Sequence, residues 1–398
     1  MQPMGKTVGM SAIAAISDQV VLSRLVRRSD LVACKQAFID CKLPGSEQKE
    51  NYSIIGPGVS ESSDQVVNLS EPHGFSLGVA AMPPGVTNNL HIHYTAEVFM
   101  IFRGEWLFRW GADGKDGEFV GRAGDVVSIP TWIFRGFTNV GSDDGWIFTC
   151  LGRDECGGLI WHPSILKSAA QYGLYLTRED VVVDTGAGAA KPDDKDLVTP
   201  LSDEVMAALD RYSVKEMRER IVVAGERPWS DRALLDACLP GHRSSLAPIV
   251  GPGMSEDRKA RPKVTNPHGF SVEWLRIEAG QIVGPLRVAP KQVLIVYEGA
   301  IEVTVNRKAD AVTVPVGVSD LYSVPAGAWR SLQAVGPGQA TVAVITAGDG
   351  RVHIEWDSQI VQDAQDSGFC VDPDGYIAAA ALLSPLFGSG AGAALAAL

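Results

Sequence analysis

The sequence has few of the features that mark several large classes of protein. Its 398 residues include six cysteines and no Cys-x-x-Cys pair, which excludes a dense disulfide framework and favours a reduced, cytoplasmic setting. Basic residues are in the minority, with 35 Lys and Arg against 47 Asp and Glu, so the formal charge is −12. Nucleic acid and anionic membranes are therefore disfavoured as partners, because their phosphate groups would be repelled.

Long apolar runs and the common phosphate-binding loops are also missing. The sequence contains no Gly-x4-Gly-Lys-Ser/Thr loop, no dinucleotide fingerprint after a strand and no Gly-x-Ser-x-Gly elbow. The apolar stretch 10–16 ends at Asp18 and is too short for a secretory signal. The last 24 residues carry no charge, but Gly, Ser and Pro interrupt them and Ala dominates, which favours a tail over a membrane helix.

What the sequence does contain is a duplication. Residues 54–61 (IIGPGVSE) return as 249–256 (IVGPGMSE), and 72–75 (PHGF) returns as 267–270. Both pairs are 195 residues apart, and the same offset relates Arg135 to Arg330. A constant offset over such a span indicates two copies of one domain rather than a solenoid of short repeats.

Each copy consists of short β-branched and aromatic runs separated by Gly and Pro, which is typical of an antiparallel sandwich or barrel. The predicted fold class is therefore mainly β, with two tandem domains and flanking helices. Helical patterns occur only ahead of each copy, over 17–27, 30–40, 203–221 and 231–238. The predicted organisation is a helical extension (1–50), a first domain (51–185), a linker and helical segment (186–240), a second domain (241–375) and an Ala/Gly-rich tail (376–398).

The first copy contains residues of metal-ligand type in the pattern Gly85-x5-His91-x-His93-x3-Glu97-x6-Gly104. Residues two apart on a strand point to the same face, so His91 and His93 project together. Glu97 has the same parity if the strand pairing stays regular, or it lies across a short turn. Two imidazoles and a carboxylate that converge inside a barrel suit Fe, Mn, Ni or Zn. The sequence thus predicts a divalent-metal site.

This spacing resembles the first motif of the cupins, which are small jelly-roll β-barrels, and it matches that motif at every specified position. The second cupin motif, Gly-x5-Pro-x-Gly-x2-His-x3-Asn, is matched by Gly124, Pro130 and Asn139. Trp132 stands where the second Gly is usual, and Arg135 stands where cupins have their last metal-binding His. Since both repeats take part, the chain resembles a two-domain cupin, or bicupin, which implies two jelly-roll barrels.

The second copy keeps the Gly and Pro positions but not the ligands. At the offset of 195, the ligand positions become Leu286, Val288 and Gln292. None of these side chains holds a divalent ion in the usual way. We expect a metal-free domain that supports the first one, shapes its mouth or binds something else.

Arg135 allows two interpretations. It either forms a structural salt bridge, as the equivalent Arg330 in the copy without ligands suggests, or faces the pocket and anchors a substrate anion through two hydrogen bonds. A metal would then keep two His and one carboxylate, the ligand set of non-haem Fe(II) oxygenases. His73 and His162 are alternative ligands; His73 recurs in the second copy, and His162 has no evident counterpart.

Aromatic residues are concentrated in the first copy. Most of them must form the core, but some are expected to line the pocket. An apolar, aromatic-walled pocket with one metal and one arginine suits a small aromatic or conjugated acid. The predicted substrate-pocket residues are Trp106, Phe108, Trp132, Phe134 and Arg135.

The leading functional hypothesis is a non-haem Fe(II) dioxygenase, because several bicupin dioxygenases cleave aromatic acids or flavonols. His91, His93 and Glu97 would hold the metal, and Glu97 and Arg135 are the candidate catalytic residues. One alternative is a redox-neutral isomerase, lyase or decarboxylase that uses Mn, Ni or Zn, with Glu97 as a general base. Another is a non-catalytic ligand-binding or storage bicupin. A homo-oligomer is expected, since exposed sheet edges need cover.

Overall fold

The structure is a computed structural model that describes residues 15–383. The chain divides into two compact units. The first contains Ser29–Arg227 with Asn266–Phe270, and the second contains Pro228–Thr265 with the described residues up to Arg28 and from Ser271 onward. Most of the stretch 10–16 and of the predicted tail lies outside the described residues. We call the β-structures of the two units the first barrel and the second barrel.

Two sheets form the first barrel. Phe99 of the seven-stranded sheet packs against Phe108 and Phe137 of the five-stranded sheet, with ring centroids 5.0 and 5.1 Å apart. The seven strands, in sheet order, are Ile221–Val222, Val126–Ile129, Glu97–Arg103, Gly145–Gly152, Phe75–Met82, Glu50–Ile55 and Val67–Leu69. The five strands are Leu159–Trp161, Thr87–His93, Arg135–Asn139, Glu105–Trp110 and Gly117–Arg122.

Alternation of side chains explains why these segments form strands. Along Glu105–Trp110, the buried residues are Trp106, Phe108 and Trp110, and the residues between them are half-buried. This period of two places the large aromatic rings in the barrel interior. The core thus formed fixes the register of the neighbouring strand Arg135–Asn139, which pairs with Glu105–Trp110 along its whole length.

The second barrel repeats this arrangement with two sheets of its own. Its interior is mainly aliphatic and includes Val303, Leu332 and Val344. The six strands of one sheet are Leu25–Val26, Leu321–Val324, Gln292–Glu298, Ala340–Ala347, Phe270–Ile277 and Ser244–Val250. The five strands of the other are Val312–Val316, Ala300–Val305, Arg330–Val335, Ile282–Val288 and Ile354–Trp356. The mainly β class with two tandem domains is confirmed.

The longest helices follow the last strand of each five-stranded sheet. They are Pro163–Gln171 and Ser358–Asp366, and each is followed by a two-stranded ribbon: Leu174–Leu176 with Val182–Asp184, and Phe369–Val371 with Ile377–Ala379. The other α-helices are Asp18–Leu22, Asp203–Ala207 and Val214–Arg218. The 3-10 segments are Arg28–Asp30, Thr185–Ala187, Asp194–Asp196, Ala224–Glu226, Leu235–Cys238, Lys308–Asp310 and Ala380–Leu382. Among the described residues, no helix is both long enough and apolar enough to cross a membrane.

The helices predicted ahead of each copy are much shorter than expected. In 17–27 only Asp18–Leu22 is α-helical, and 31–40 contains no helix. The reason is tertiary: Cys34 and Asn51 exchange two backbone hydrogen bonds of 2.8 and 3.0 Å. The segment therefore lies beside the strand Glu50–Ile55 and forms an antiparallel bridge to it instead of a helix. The prediction over 203–221 corresponds to two short helices, and the prediction over 231–238 to a single 3-10 turn.

The duplication extends further than the sequence motifs showed. Trp161 donates its indole N–H to Glu61 Oε1 at 2.5 Å, and Trp356 donates to Glu256 Oε1 at 2.9 Å. Both pairs are buried and are related by the offset of 195. The repeat therefore also relates His162 to Asp357, and each of these residues caps the following helix by accepting a backbone N–H.

Candidate metal centre

His91, His93 and Glu97 are contributed by both sheets of the first barrel. The two histidines end the strand Thr87–His93 of the five-stranded sheet, and Glu97 begins the strand Glu97–Arg103 of the seven-stranded sheet. Only three residues separate His93 from Glu97, so this short connection carries the chain from one sheet to the other. The H-x-H-x3-E spacing thereby places a carboxylate opposite two imidazoles.

These three side chains form a compact, buried group. His91 Nε2 and His93 Nε2 are 3.2 Å apart, and His93 Nε2 lies 3.4 Å from Glu97 Oε2. One ligand atom from each residue lies within 4.8 Å of the others. No other group of three His, Cys, Asp or Glu residues with this closeness occurs in 15–383.

The hydrogen bonds orient the group for metal binding. His91 Nδ1 lies 2.7 Å from the carbonyl oxygen of Asn89 and must donate its proton to it, which leaves the Nε2 lone pair available. Within the described chain, His93 Nδ1 and Glu97 Oε2 have no hydrogen-bond partner although they are buried. Buried polar atoms without partners are rare in native proteins. A divalent ion held by His91, His93 and Glu97 would give Glu97 Oε2 a partner.

Burial and one positive charge determine the protonation of the group. Burial and the charge of Arg135 hold the pKa of both histidines well below the usual value, so the imidazoles are neutral. Burial raises the pKa of Glu97 to about 7, and Arg135 opposes this rise. Neutral imidazole and carboxylate are the forms that bind metals.

Arg135 faces the ligands. It pairs with His91 in the register of adjacent strands, so the two side chains share a face. Its Nε lies 3.3 Å from Glu97 Oε2, its Nη1 is 3.4 Å from the carbonyl oxygen of Ile133, and its Nη2 has no hydrogen-bond partner among residues 15–383. The side chain is fully buried, and burial lowers its pKa to about 10.

A cavity of about 50 Å³ opens beside the group. Besides the three candidate ligands, its lining includes Phe38, Lys49, Asn88, Phe137 and Leu151. Because a water molecule needs at least about 10–15 Å³ measured in this way, the cavity holds only a few non-hydrogen atoms.

None of the residues predicted for the pocket is in this lining, neither the four aromatic residues nor Arg135. Trp106 and Phe108 fill the barrel core, and Phe134 is buried against the ring of His162, with centroids 5.2 Å apart. Trp132 is 47% exposed and contacts Tyr94 at a centroid distance of 5.4 Å. Strand parity directs Trp106 and Phe108 inward, but the sequence does not tell which end of the barrel interior they fill.

Lys49 is a site residue that sequence reasoning missed. Its ammonium group is buried, donates to Asn88 Oδ1 at 2.7 Å and pairs with the carboxylate of Asp40. It precedes the recognisable repeat, so no motif contains it. The offset of 195 places Ser244 at its position in the second copy. A lysine present only in the copy with metal ligands is the signal that could have identified it.

The two other candidate histidines lie elsewhere. His73 Nδ1 is 2.6 Å from the carbonyl oxygen of Glu71, and its backbone N–H donates to Asp154. His162 Nδ1 lies 2.7 Å from Ser164 Oγ and accepts from the Ser164 N–H at the start of a helix. Neither belongs to the group formed by His91, His93 and Glu97.

Comparisons with known proteins identify the fold. No protein-family profile and no curated protein sequence matches the chain. Among solved structures, 7S globulin from Momordica charantia is 13% identical, with a TM-score of 0.50 over 84% of this chain and 86% of that one. Oxalate decarboxylase from Lactobacillus farciminis, in a formate complex, is 12% identical, with a TM-score of 0.52 over 85% and 89%. A Bacillus subtilis oxalate decarboxylase studied for its Mn(II) centres is 12% identical, with a TM-score of 0.52 over 88% and 82%.

These proteins are two-domain cupins, and the likeness confirms the predicted fold: the chain has the bicupin fold. Identities of 12–13% establish the fold alone. The similar structures include both enzymes and storage globulins, so the fold is compatible with either role.

Proposed function

We propose that the protein is a divalent-metal enzyme of the non-haem Fe(II) dioxygenase class that acts on a small organic anion. His91, His93 and Glu97 would hold the metal. The observation that carries this proposal is the arginine at the place of a fourth ligand, 3.3 Å from Glu97. Since a guanidinium cannot bind a metal, the protein supplies three donors and leaves other coordination positions for substrate. The bound metal supplies Lewis acidity and, as iron, the redox chemistry needed to use dioxygen.

The charge of the site favours an anionic substrate. Both imidazoles are neutral, and the carboxylate form of Glu97, which is the form that binds a metal, cancels the charge of Arg135. The buried Lys49 and Asp40 cancel as well. A divalent ion would therefore bring an uncompensated double positive charge into a buried site, and such charges need partners. A substrate carboxylate would supply the partner charge.

The size of the cavity favours a short acid over the aromatic or conjugated acid expected from the sequence. A cavity of about 50 Å³ suits a few non-hydrogen atoms better than an aromatic ring with its substituents. The ammonium group of Lys49, which lines the cavity, is the cation that would orient the carboxylate. Arg135 does not line the cavity and would act through its ion pair with Glu97. Asn88, which accepts a hydrogen bond from Lys49, keeps that ammonium in place.

A redox-neutral decarboxylase is the second candidate. Two observations favour it: the small cavity suits a short dicarboxylate, and similar solved structures include oxalate decarboxylases. In that case Glu97, or a group beside it, would handle a proton rather than support oxygen chemistry.

The test begins with metal content and continues with substrate. The purified chain is stripped of metal, reconstituted anaerobically with Fe(II) or Mn(II), and analysed for bound metal; His93→Ala is the control. A panel of short mono- and dicarboxylates, including oxalate, is then assayed for dioxygen consumption and for CO2 release. Acid-dependent dioxygen consumption by the iron-loaded protein, but not by the manganese-loaded protein, supports the proposal. CO2 release without net dioxygen consumption supports the decarboxylase. Failure to bind one equivalent of either metal, or binding without turnover of any acid, would overturn the proposal and leave a ligand-binding or storage role.

A further inference from the structure

The second barrel contains a buried arginine that has no counter-ion among residues 15–383. Arg330 begins the strand Arg330–Val335 and is 3% exposed. It pairs in register with Leu286 of the adjacent strand, as Arg135 pairs with His91 in the first barrel. The two arginines therefore occupy the same place in the two copies, with their side chains on the inner face.

The two barrels differ in what faces this arginine. In the first barrel the partner is the carboxylate of Glu97. In the second barrel the equivalent residue is the neutral Gln292, whose Oε1 accepts from Arg330 Nη2. Gln292 is held by a hydrogen bond of 2.8 Å from its Nε2 to Thr346 Oγ1. An amide thus satisfies one donor of the guanidinium but compensates none of its charge.

No other group takes the place of the missing carboxylate. Among the described residues, Arg330 forms no ion pair, and its Nη1 is buried without a hydrogen-bond partner. Its pKa is lowered to about 9 by burial alone, with no acidic group raising it. Buried charges in native proteins are paired, because removing a charge from water without a partner is costly.

We propose that the second barrel binds a small monoanion, chloride or a short carboxylate such as formate, at Nη1 of Arg330. The residues around it select for charge and size. The positions equivalent to the histidines are the buried, apolar Leu286 and Val288, which offer the anion no hydrogen bonds. A sulfate or phosphate would leave several oxygens unsatisfied there, whereas a monoanion needs few donors.

This anion site is independent of the metal-dependent activity proposed for the first barrel. It would give a role to the buried arginine in a copy that has none of the three ligand residues. In the first barrel the charge of the arginine is balanced from within the chain, and in the second barrel it is balanced by a bound ion. The anion would then stabilise the folded state by mass action.

The test measures the thermal unfolding midpoint of the metal-free full chain in an anion-poor buffer. Sodium chloride, sodium bromide and sodium formate are titrated separately, each at an ionic strength held constant with sodium gluconate. We expect a saturable rise of several degrees with at least one of the three anions. Chloride and formate should compete if they share the site. Crystals grown with bromide should show an anomalous peak within hydrogen-bonding distance of Arg330 Nη1.

Three variants identify the site. Arg330→Met should abolish the saturable rise, and Arg135→Met, the matched change in the first barrel, should leave it in place. Gln292→Glu supplies an internal carboxylate, so it should raise the midpoint in the anion-poor buffer and remove the response to added anion. A titration without saturation, or a saturable rise that survives Gln292→Glu, would overturn the proposal even if Arg330→Met does not fold.

Discussion

Arg135 Nε lies 3.3 Å from Glu97 Oε2, so the carboxylate that would bind a metal also forms an ion pair with a fully buried guanidinium. The two functions of this carboxylate oppose each other. A divalent ion on Glu97 would be repelled by the nearby arginine, and it would compete with that arginine for the carboxylate, which is the arginine's only acidic partner among residues 15–383. Under the proposed function, the pair would therefore lower the affinity for metal and favour an anionic substrate.

Replacing Arg135 with methionine should strengthen metal binding. The change removes a positive charge a few ångströms from the ligands, and at such distances its Coulomb repulsion of a divalent ion is at least about 2 kcal/mol, so we expect affinity to rise at least about tenfold. Competition with a fluorescent chelator measures the change, and Arg330→Met is the matched control. A lower affinity for metal in Arg135→Met would contradict this account of the pair.

Replacing His93 with alanine should reduce bound metal from one equivalent to none. The remaining His91 and Glu97 give too few donors for a stable site. Val288→Ala, at the equivalent position of the second barrel, should retain one equivalent. Chelation should lower the unfolding temperature of the natural chain but leave that of His93→Ala unchanged. Equal metal content in the two variants would place the metal elsewhere.

Glu256 should make the stability of the protein decrease as the pH rises. Burial raises its pKa to about 8, well above the value of 4.5 in the unfolded chain. The folded state therefore holds a proton that the unfolded state has lost, so this contribution is complete below pH 4.5 and is lost as the pH rises towards 8, by up to a few kcal/mol. Urea unfolding between pH 5 and 8 measures the slope.

The control for this prediction is Glu256→Gln. The amide keeps an acceptor for the Trp356 indole but loses the hydrogen bond from the Leu235 N–H, so the variant should be less stable at pH 5. Its stability should nevertheless vary less with pH than that of the natural chain. Glu61→Gln, in the equivalent pair of the first barrel, should have the same effect. An unchanged pH slope in both variants would show that these carboxyls ionise normally.

Trp132→Gly should be more stable than Trp132→Ala by about 1 kcal/mol. Residue 132 has φ = +63°, a conformation that glycine adopts without the steric cost paid by other residues. Both variants lose the contact with Tyr94, so their difference isolates the backbone effect. Chemical denaturation measures it. Equal stability of the two variants would mean that the loop changes conformation when the tryptophan is removed.

Lys49 and Asp40 should be strongly coupled in their contributions to stability. Both are buried, and removing one leaves the other as an unpaired charge. We expect Lys49→Met to cost about 3–5 kcal/mol and the double variant with Asp40→Asn to recover part of that loss. A double-mutant cycle by urea unfolding provides the coupling energy. Additive effects would show that Lys49 and Asp40 contribute to stability independently, and would contradict the prediction.

The sequence was a good guide wherever a pattern has a direct geometric meaning. The offset of 195 predicted two barrels, and the bicupin fold confirms them. The H-x-H-x3-E spacing predicted a convergence of three side chains, by alternation for the two histidines and across a short connection for Glu97, and their ligand atoms lie within 4.8 Å of one another. Such patterns are readable because the side-chain period of a strand is fixed.

The sequence was a poor guide where contacts between distant segments of the chain decide the structure. The helix predicted over 30–40 is missing because Cys34 hydrogen-bonds to Asn51 across the chain. The predicted aromatic wall lies elsewhere, because inward direction does not tell at which level of the barrel a ring sits. Lys49 enters the cavity from a segment ahead of the repeat, and no local pattern signals it.

The sequence by itself therefore determined the duplication, the β class and the identity of the candidate ligands, since each follows from spacing along the chain. Only the tertiary structure decided that Arg135 points at Glu97, that Lys49 lines the cavity and that Arg330 has no counter-ion in the described part of the chain. Those facts depend on which atoms meet after two sheets close on each other. The electrostatic consequence of a buried charge is fixed by its neighbours in space, and strand periodicity carries no information about them.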